Sequence, residues 1–117
     1  MENAEAVRLL NALAQDTRLS LFRLLVQAGP EGLTVGRIAG HLGVANATLS
    51  FHLKELAHAG LVVTRQQGRF VHCSADFGRM RALLGFLTEN CCAGTPCGVE
   101  SVDTDCGPGA TKEPSRP

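Results

Sequence analysis

The stretch that decides the fold spans residues 34–74 and reads TVGRIAGHLGVANATLSFHLKELAHAGLVVTRQQGRFVHCS. Thr34 can cap a short helix whose apolar side chains recur at i, i+3, i+4 and i+7, and Gly43 can end it. A second helix is predicted from about Ala45 to Ala59, with Gly60 at its end. Two short helices joined by a tight glycine turn are typical of a helix-turn-helix.

The residues after Gly60 predict a β-hairpin. Two β-rich runs, 61–66 and 69–74, flank the dipeptide Gln67-Gly68, which is a hairpin turn signal. A hairpin directly after a helix-turn-helix is the wing of a winged helix-turn-helix protein. The expected fold class is therefore mainly α with a β-hairpin: about five helices and a two-stranded wing.

Helices are also predicted on both sides of this stretch. Residues 4–14 form the first helix, and Asp16 can cap a second that ends at Gly29-Pro30. The second helix is apolar nearly all round, which indicates a central place in the core. A last helix is predicted over about Phe77–Asn90. Its apolar residues cover more than one face, so we expect it to pair with a second copy of itself in a homodimer. The residues of this excess are Leu83, Leu84, Phe86 and Leu87.

Composition divides the chain near residue 90. Residues 91–117 are rich in Gly, Pro, Ser, Thr and acidic side chains, and such a segment buries too little apolar surface to offset its ordering entropy. The prediction is a folded domain for DNA binding and dimerisation over 1–90, followed by a flexible cysteine-containing tail over 91–117.

Composition also excludes several classes of protein. The chain is 44% hydrophobic and 19% charged, which suits one globular domain. It has no apolar run of about 18 residues and no signal peptide, so we expect a cytoplasmic protein that makes no contact with membranes. Five cysteines in that compartment are expected to be thiols. Because the sequence has no nucleophile elbow and no phosphate loop, it does not indicate an enzyme.

The middle of the chain has a net positive charge, which is typical of a nucleic-acid-binding segment. Residues 34–81 hold six cationic and two acidic side chains, a net charge of +4 within a chain of net charge 0. The second helix of the motif should enter the major groove of double-stranded DNA, and the wing should meet the phosphate backbone. The expected contacts are Asn46, Ala47, Thr48, Ser50, His52 and Lys54 on the helix, and Arg65, Gln67 and Arg69 on the wing.

Two motifs resemble the ArsR/SmtB family of metalloregulatory repressors. Residues 13–19, LAQDTRL, are similar to the family's opening LA-x-x-x-R-L, and residues 48–62, TLSFHLKELAHAGLV, are similar to its recognition helix and first wing strand. The resemblance covers about residues 5–90. It implies a homodimeric repressor that binds operator DNA when metal-free and dissociates when a toxic ion binds.

The chain departs from the family at four points. Phe51 stands where the family often has a polar residue, and Ala45 precedes the recognition helix where a capping serine is common. The third helix has no cysteine motif, and the last helix has no histidine. Both usual ion-sensing sites are therefore missing.

Four cysteines after the last helix offer another site: Cys91, Cys92, Cys97 and Cys106. Adjacent cysteines followed by a third suit a three-thiolate site for As(III), since soft ions prefer sulfur ligands. We expect Cys91, Cys92 and Cys97 to bind As(III) as the inducer, as the resemblance to some family members also implies. Other readings remain open: a three- or four-cysteine site for Cd, Zn, Pb or Sb, a Cys97–Cys106 disulfide, a thiol metal-handling protein that does not bind DNA, or unliganded thiols. Cys73, in the second wing strand, is expected to be a small buried apolar residue.

Overall fold

Helices and strands follow one another along residues 1–94, the part of the chain that the computed structural model describes. The helices are α1 (Asn3–Leu13), α2 (Asp16–Ala28), α3 (Val35–Leu42), α4 (Asn46–Ala59) and α5 (Phe77–Leu87). The strands are β1 (Leu33–Thr34), β2 (Val62–Gln67) and β3 (Phe70–Ala75), and a 3-10 turn (Cys91–Gly94) follows α5. Within these residues no helix is long and apolar enough to cross a lipid bilayer. The five helices and the wing confirm the predicted winged helix-turn-helix.

Side chains cap α2, α3 and α5, and at α5 the Asp76 carboxylate accepts a hydrogen bond from the Arg79 amide at 3.0 Å. Thr34 Oγ1 accepts a hydrogen bond from the Arg37 amide at 3.3 Å, which confirms the predicted cap of α3. The prediction for α2 was wrong, because Asp16 is already helical and Gln15 Oε1 accepts the bond from the Arg18 amide at 2.9 Å. The glutamine is long enough to reach back over the first turn. Gly43 and Gly60 end α3 and α4, as predicted.

The sheet contains a strand that the sequence did not predict. Its order is β1-β3-β2, all antiparallel, and β1 contributes only the two pairs Leu33↔Cys73 and Thr34↔His72. Gly32 precedes β1 with φ +73°, and a Cβ built there would lie 2.0 Å from the Cys73 carbonyl oxygen. Only glycine allows this close approach. The predicted two-stranded wing is therefore part of a three-stranded sheet.

The hairpin turn lies one residue later than predicted. The last pair of the ladder is Gln67↔Phe70, so Gly68 and Arg69 form the turn. Gly68 has φ +61° whereas Arg69 does not have a positive φ. This pattern matches a type II′ turn, which places glycine at the first central position.

The core lies between the helices and the inner face of the sheet. Its largest fully buried side chains come from helices α1 to α4, from strand β3 and from the residue just before β2. They are Leu9, Leu21, Leu25, Ile38, Leu49, Leu56, Cys73 and Leu61. Helix α2 supplies Leu21, Phe22 and Leu25 to this core, but its Leu19 is exposed. Helix α2 is therefore central on one face only.

Helix α5 ends at Leu87, three residues before the predicted end. The Thr88 hydroxyl donates to the Leu84 carbonyl at 2.9 Å, which satisfies a carbonyl of the last turn. Of the predicted apolar excess, Leu83 is buried and Phe86 is half-buried, while Leu84 and Leu87 are exposed. The proposed tail lies mostly outside the described residues, and the boundary at residue 90 stays a prediction.

Candidate nucleic-acid interface and cysteine segment

Helices α3 and α4 form the helix-turn-helix, and α4 presents a polar surface at its start. Ala45 occupies the N-cap position, and its methyl side chain cannot accept a hydrogen bond from the first turn. Asn46 is the first helical residue, and no side-chain cap hydrogen bond forms at this end of the helix. The structure leaves five of the predicted contact residues of α4 exposed: Asn46, Ala47, Thr48, Ser50 and Lys54.

His52 is the exception among the predicted contact residues. Its side chain is only 8% exposed and faces the α1–α2 junction. His52 Nδ1 lies 3.4 Å from Arg18 Nη1, and Arg18 Nε donates to the Ala12 carbonyl at 2.7 Å. A residue held inside this network is not placed to touch a phosphate. We therefore correct the expectation for His52 and remove it from the contact set.

The wing places its predicted residues on two surfaces. Arg65 and Gln67 alternate with Thr64 along β2. Because successive side chains of a strand point to opposite faces, and Thr64 shares a groove with Ser50 and Lys54 of α4, Arg65 and Gln67 lie on the outer face of the wing. Arg69 lies in the turn at the wing tip, and all three predicted residues are exposed.

Arg37 is a further cation that lies beside the wing, and it is not among the DNA contacts expected from the sequence. Arg37, in the first turn of α3, lines a groove of about 350 Å³ together with Arg65, Gln67 and His72, with Glu31 also in its wall. Strand β1 creates this proximity by pairing Thr34 with His72. Since β1 has no local signal in the sequence, Arg37 could not be linked to the wing beforehand.

The described cysteines fall into two environments. Cys73 is fully buried in β3, as predicted, and its burial raises the pKa of the thiol above the ordinary value of 9.0. Cys91 is half-buried and Cys92 is exposed, and both lie in the 3-10 turn after α5. Their sulfur atoms are 3.4 Å apart. A buried neutral thiol is a poor ion ligand, whereas the Cys91–Cys92 pair is accessible.

The Cys91–Cys92 separation suits a shared ion. Two thiolates on one tetrahedral ion with metal–sulfur bonds of about 2.3 Å lie about 3.8 Å apart, so the observed sulfurs are a few tenths of an ångström from such a geometry. Residues 1–94 hold no group of three metal-ligating side chains. Cys97 and Cys106 lie outside the described residues, so the structure brings together two of the three predicted ligands.

Helix α5 connects the cysteine segment to the rest of the domain. Arg79 forms an ion pair with Glu5 of α1. The Arg79 guanidinium also lies against Gly60, the residue that ends α4; a Cβ built at Gly60 would be 3.4 Å from Arg79 Cζ. Helix α5 therefore contacts the end of α4 as well as α1.

The geometry defines a winged helix-turn-helix protein, and comparisons with known proteins narrow this class. A family described as "Helix-turn-helix domain" matches residues 13–65. The regulator CmtR of Mycobacterium tuberculosis is 33% identical over 105 residues, which cover 90% of this chain and 80% of CmtR. A protein of Halobacterium salinarum named "Putative arsenical resistance operon repressor ArsR" is 39% identical over 64 residues, which cover 55% of this chain and 49% of that protein.

A solved structure agrees with the same assignment. The homodimeric winged helix-turn-helix DNA-binding domain (fragment 1–100) of a Mycobacterium bovis protein superimposes with a TM-score of 0.59 at 29% identity, covering 74% of this chain and 81% of that domain. The chain belongs to the ArsR/SmtB family of transcriptional regulators. It is accordingly a transcriptional regulator and not an enzyme.

Proposed function

We propose that the protein is an arsenite-responsive repressor. As a dimer without bound ion it occupies operator DNA, and it dissociates when Cys91, Cys92 and Cys97 bind As(III). The observation that carries this proposal is the pair of accessible sulfurs, 3.4 Å apart, at the end of α5. A cytoplasmic location belongs to the same proposal.

The choice of ion rests on the donor set. Thiolates are soft ligands, and the pair Cys91–Cys92 offers two of them with little rearrangement. The third ligand, Cys97, follows five residues after Cys92 along the chain. The arsenical resistance repressor among the relatives supports As(III) over other soft ions.

The DNA contacts rest on exposure and charge. Asn46, Thr48 and Ser50 lie at the start of α4, where short polar side chains approach base edges in the major groove. Lys54 continues the same helix surface. Gln67 and the cations Arg65 and Arg69 on the wing meet phosphates, and Arg37 joins them through its groove.

The evidence for a dimer is a set of apolar side chains that are exposed to solvent in the single chain. The exposed set includes Val7 and Leu10 of α1, Leu19 of α2, and Leu84 and Leu87 of α5. A groove of about 410 Å³ between α2 and α5 is lined by Leu19, Leu84 and other apolar residues. Pairing two copies through α1 and α5 covers this surface.

Helix α5 provides the link between ion and DNA. The cysteines follow its last turn, and its Arg79 touches Gly60 at the end of α4. A shift of α5 on ion binding changes the placement of the two α4 helices, which must enter successive major grooves together. To change the operator from almost fully bound to almost fully free, the ion must bind the conformation that cannot hold DNA about 5.5 kcal/mol more tightly than the conformation that can.

A titration tests this proposal. The wild-type protein is bound to a duplex from the promoter of its own gene, and arsenite, zinc and cadmium are added separately while fluorescence anisotropy is followed. Release by arsenite at a concentration where zinc and cadmium leave the complex intact supports an arsenite sensor. Release by cadmium or zinc alone identifies a sensor of another soft ion. Failure to bind any duplex in a salt-dependent way contradicts the repressor itself.

A further inference from the structure

The outermost strip of α4 is apolar where a solvated helix would be polar. Ala47 and Phe51 are four residues apart and therefore lie one above the other on the exposed face, with Lys54 next along the strip. The ring of Phe51 is 55% exposed. The buried side chains of the helix, including Leu49 and Leu53, point to the opposite side.

The Phe51 ring is supported from beneath. It makes an edge-on contact with the His52 ring, with centroids 5.4 Å apart and planes at 63°. His52 is buried, and Arg18 connects it to the α1–α2 junction. The buried His52 ring restricts the Phe51 side chain before binding. Phe51 therefore loses less conformational entropy when it makes a contact, which means that it is preorganised.

We propose that Ala47 and Phe51 read thymine through its 5-methyl group in the major groove. Thymine alone among the bases presents a methyl group there, and alanine and phenylalanine side chains recognise it by apolar contact. The inference rests on the proposed function, because it requires α4 to enter DNA. It assigns sequence selectivity to the position where the chain departs from its family.

Charge identifies duplex DNA, and not a second protein copy, as the occupant of this strip. Lys54 continues the strip on α4, and Arg69 lies exposed at the tip of the neighbouring wing. Cations around a small apolar centre complement a groove with phosphates on its rims and methyl groups on its floor. The apolar residues proposed for the dimer lie on other helices, α1, α2 and α5.

The experiment replaces thymine by deoxyuridine, which removes one methyl group and leaves every hydrogen bond in place. The probe is the tightest duplex that the wild-type protein selects from a random-sequence pool, and each thymine is substituted in turn. We expect one or two positions in each half-site at which the substitution weakens binding about fourfold, the effect of one buried methyl group. Substitution at both symmetry-related positions should weaken binding about fifteenfold.

Two variants make the assignment specific. Phe51→Ala should bind thymine and deoxyuridine duplexes equally at those positions. Phe70→Ala removes an equally exposed aromatic ring, 61% exposed on the wing, and should keep the full methyl effect. Circular dichroism should show both variants folded, since both rings are at the surface.

The failures of the two proposals are distinguishable. If the wild type selects a sequence and binds it tightly but every deoxyuridine duplex binds as well as its thymine parent, methyl recognition is wrong while DNA binding stands. If Phe51→Ala retains the methyl effect, another side chain reads the methyl group. If Phe51→Ala instead turns the dimer into a monomer in sedimentation, the strip is a protein contact and the inference fails. If no duplex is enriched from the pool, the proposed function itself fails.

Discussion

Replacing His52 with alanine should destabilise the fold and leave the DNA contacts intact. The structure buries this ring to 8% exposure, against Phe51 and beside Arg18. Truncating a buried side chain of this size costs about 2–3 kcal/mol. Loss of the acceptor for Arg18 adds about 1 kcal/mol or less, because Arg18 is half-buried and water can replace the imidazole. A total near 3 kcal/mol is a large part of the roughly 5–15 kcal/mol that stabilises a domain, and it lowers Tm by about 15 °C.

The assay combines urea unfolding at fixed protein concentration with DNA binding at several salt concentrations. His52→Phe, which keeps the ring volume and removes the acceptor, should cost only about 1 kcal/mol. Lys54→Ala is the matched control on the same helix: its stability should stay within about 0.5 kcal/mol of wild type, while the slope of log K against log salt falls by about 0.9. If His52→Ala instead keeps its stability and loses one unit of salt slope, His52 contacts phosphate and the buried network is wrong.

Three further predictions concern the wing, the dimer and the buried thiol. Arg69→Ala should weaken binding to all duplexes alike and lower the salt slope by about 0.9; a change in base preference at constant slope would contradict phosphate contact. Leu87→Glu should weaken the dimer at least roughly a hundredfold, because it introduces a charge into an apolar contact, and sedimentation at micromolar concentration should show monomer; an unchanged dimer would place the interface elsewhere. Burial raises the pKa of Cys73, so the unfolded thiol ionises first and stability falls as pH rises above about 9. Urea unfolding between pH 8 and pH 10 should show a smaller fall for Cys73→Ala than for wild type, and equal falls would refute this cause.

The elements that follow from local chemistry were predictable from the sequence. Thr34 and Gly43 bound α3, and Gly60 ends α4, because capping and left-handed glycine depend on a few neighbouring residues. Strand β1 was not predictable, because two residues become a strand only by pairing with His72 and Cys73 of β3. Its omission hid the position of Arg37 beside the wing.

The errors at the hairpin and at His52 have separate physical causes. The turn moved by one residue because Gly68 takes the first central position of a type II′ turn, and a Gln-Gly dipeptide does not reveal which position its glycine takes. His52 stands at the edge of the buried face of α4, where spacing alone leaves its direction open. The contact with Arg18, a residue 34 positions earlier in the chain, turns the His52 side chain toward the protein interior. For the proposed cysteine site, the sequence indicated the candidate ligands, and the structure adds the 3.4 Å separation of Cys91 and Cys92.

The central claim, that As(III) releases the repressor through three thiolates, is tested most directly by Cys97→Ser. The variant and the wild type are bound to the same promoter duplex, and arsenite is titrated into both, with Cys106→Ser as the matched control. We expect Cys97→Ser to bind DNA with wild-type affinity and to stay bound throughout the titration, because the proposed mechanism needs all three thiolates to reach the required preference of about 5.5 kcal/mol. The Cys106→Ser control should dissociate as the wild type does. Release of Cys97→Ser at the wild-type arsenite concentration would contradict the three-thiolate mechanism.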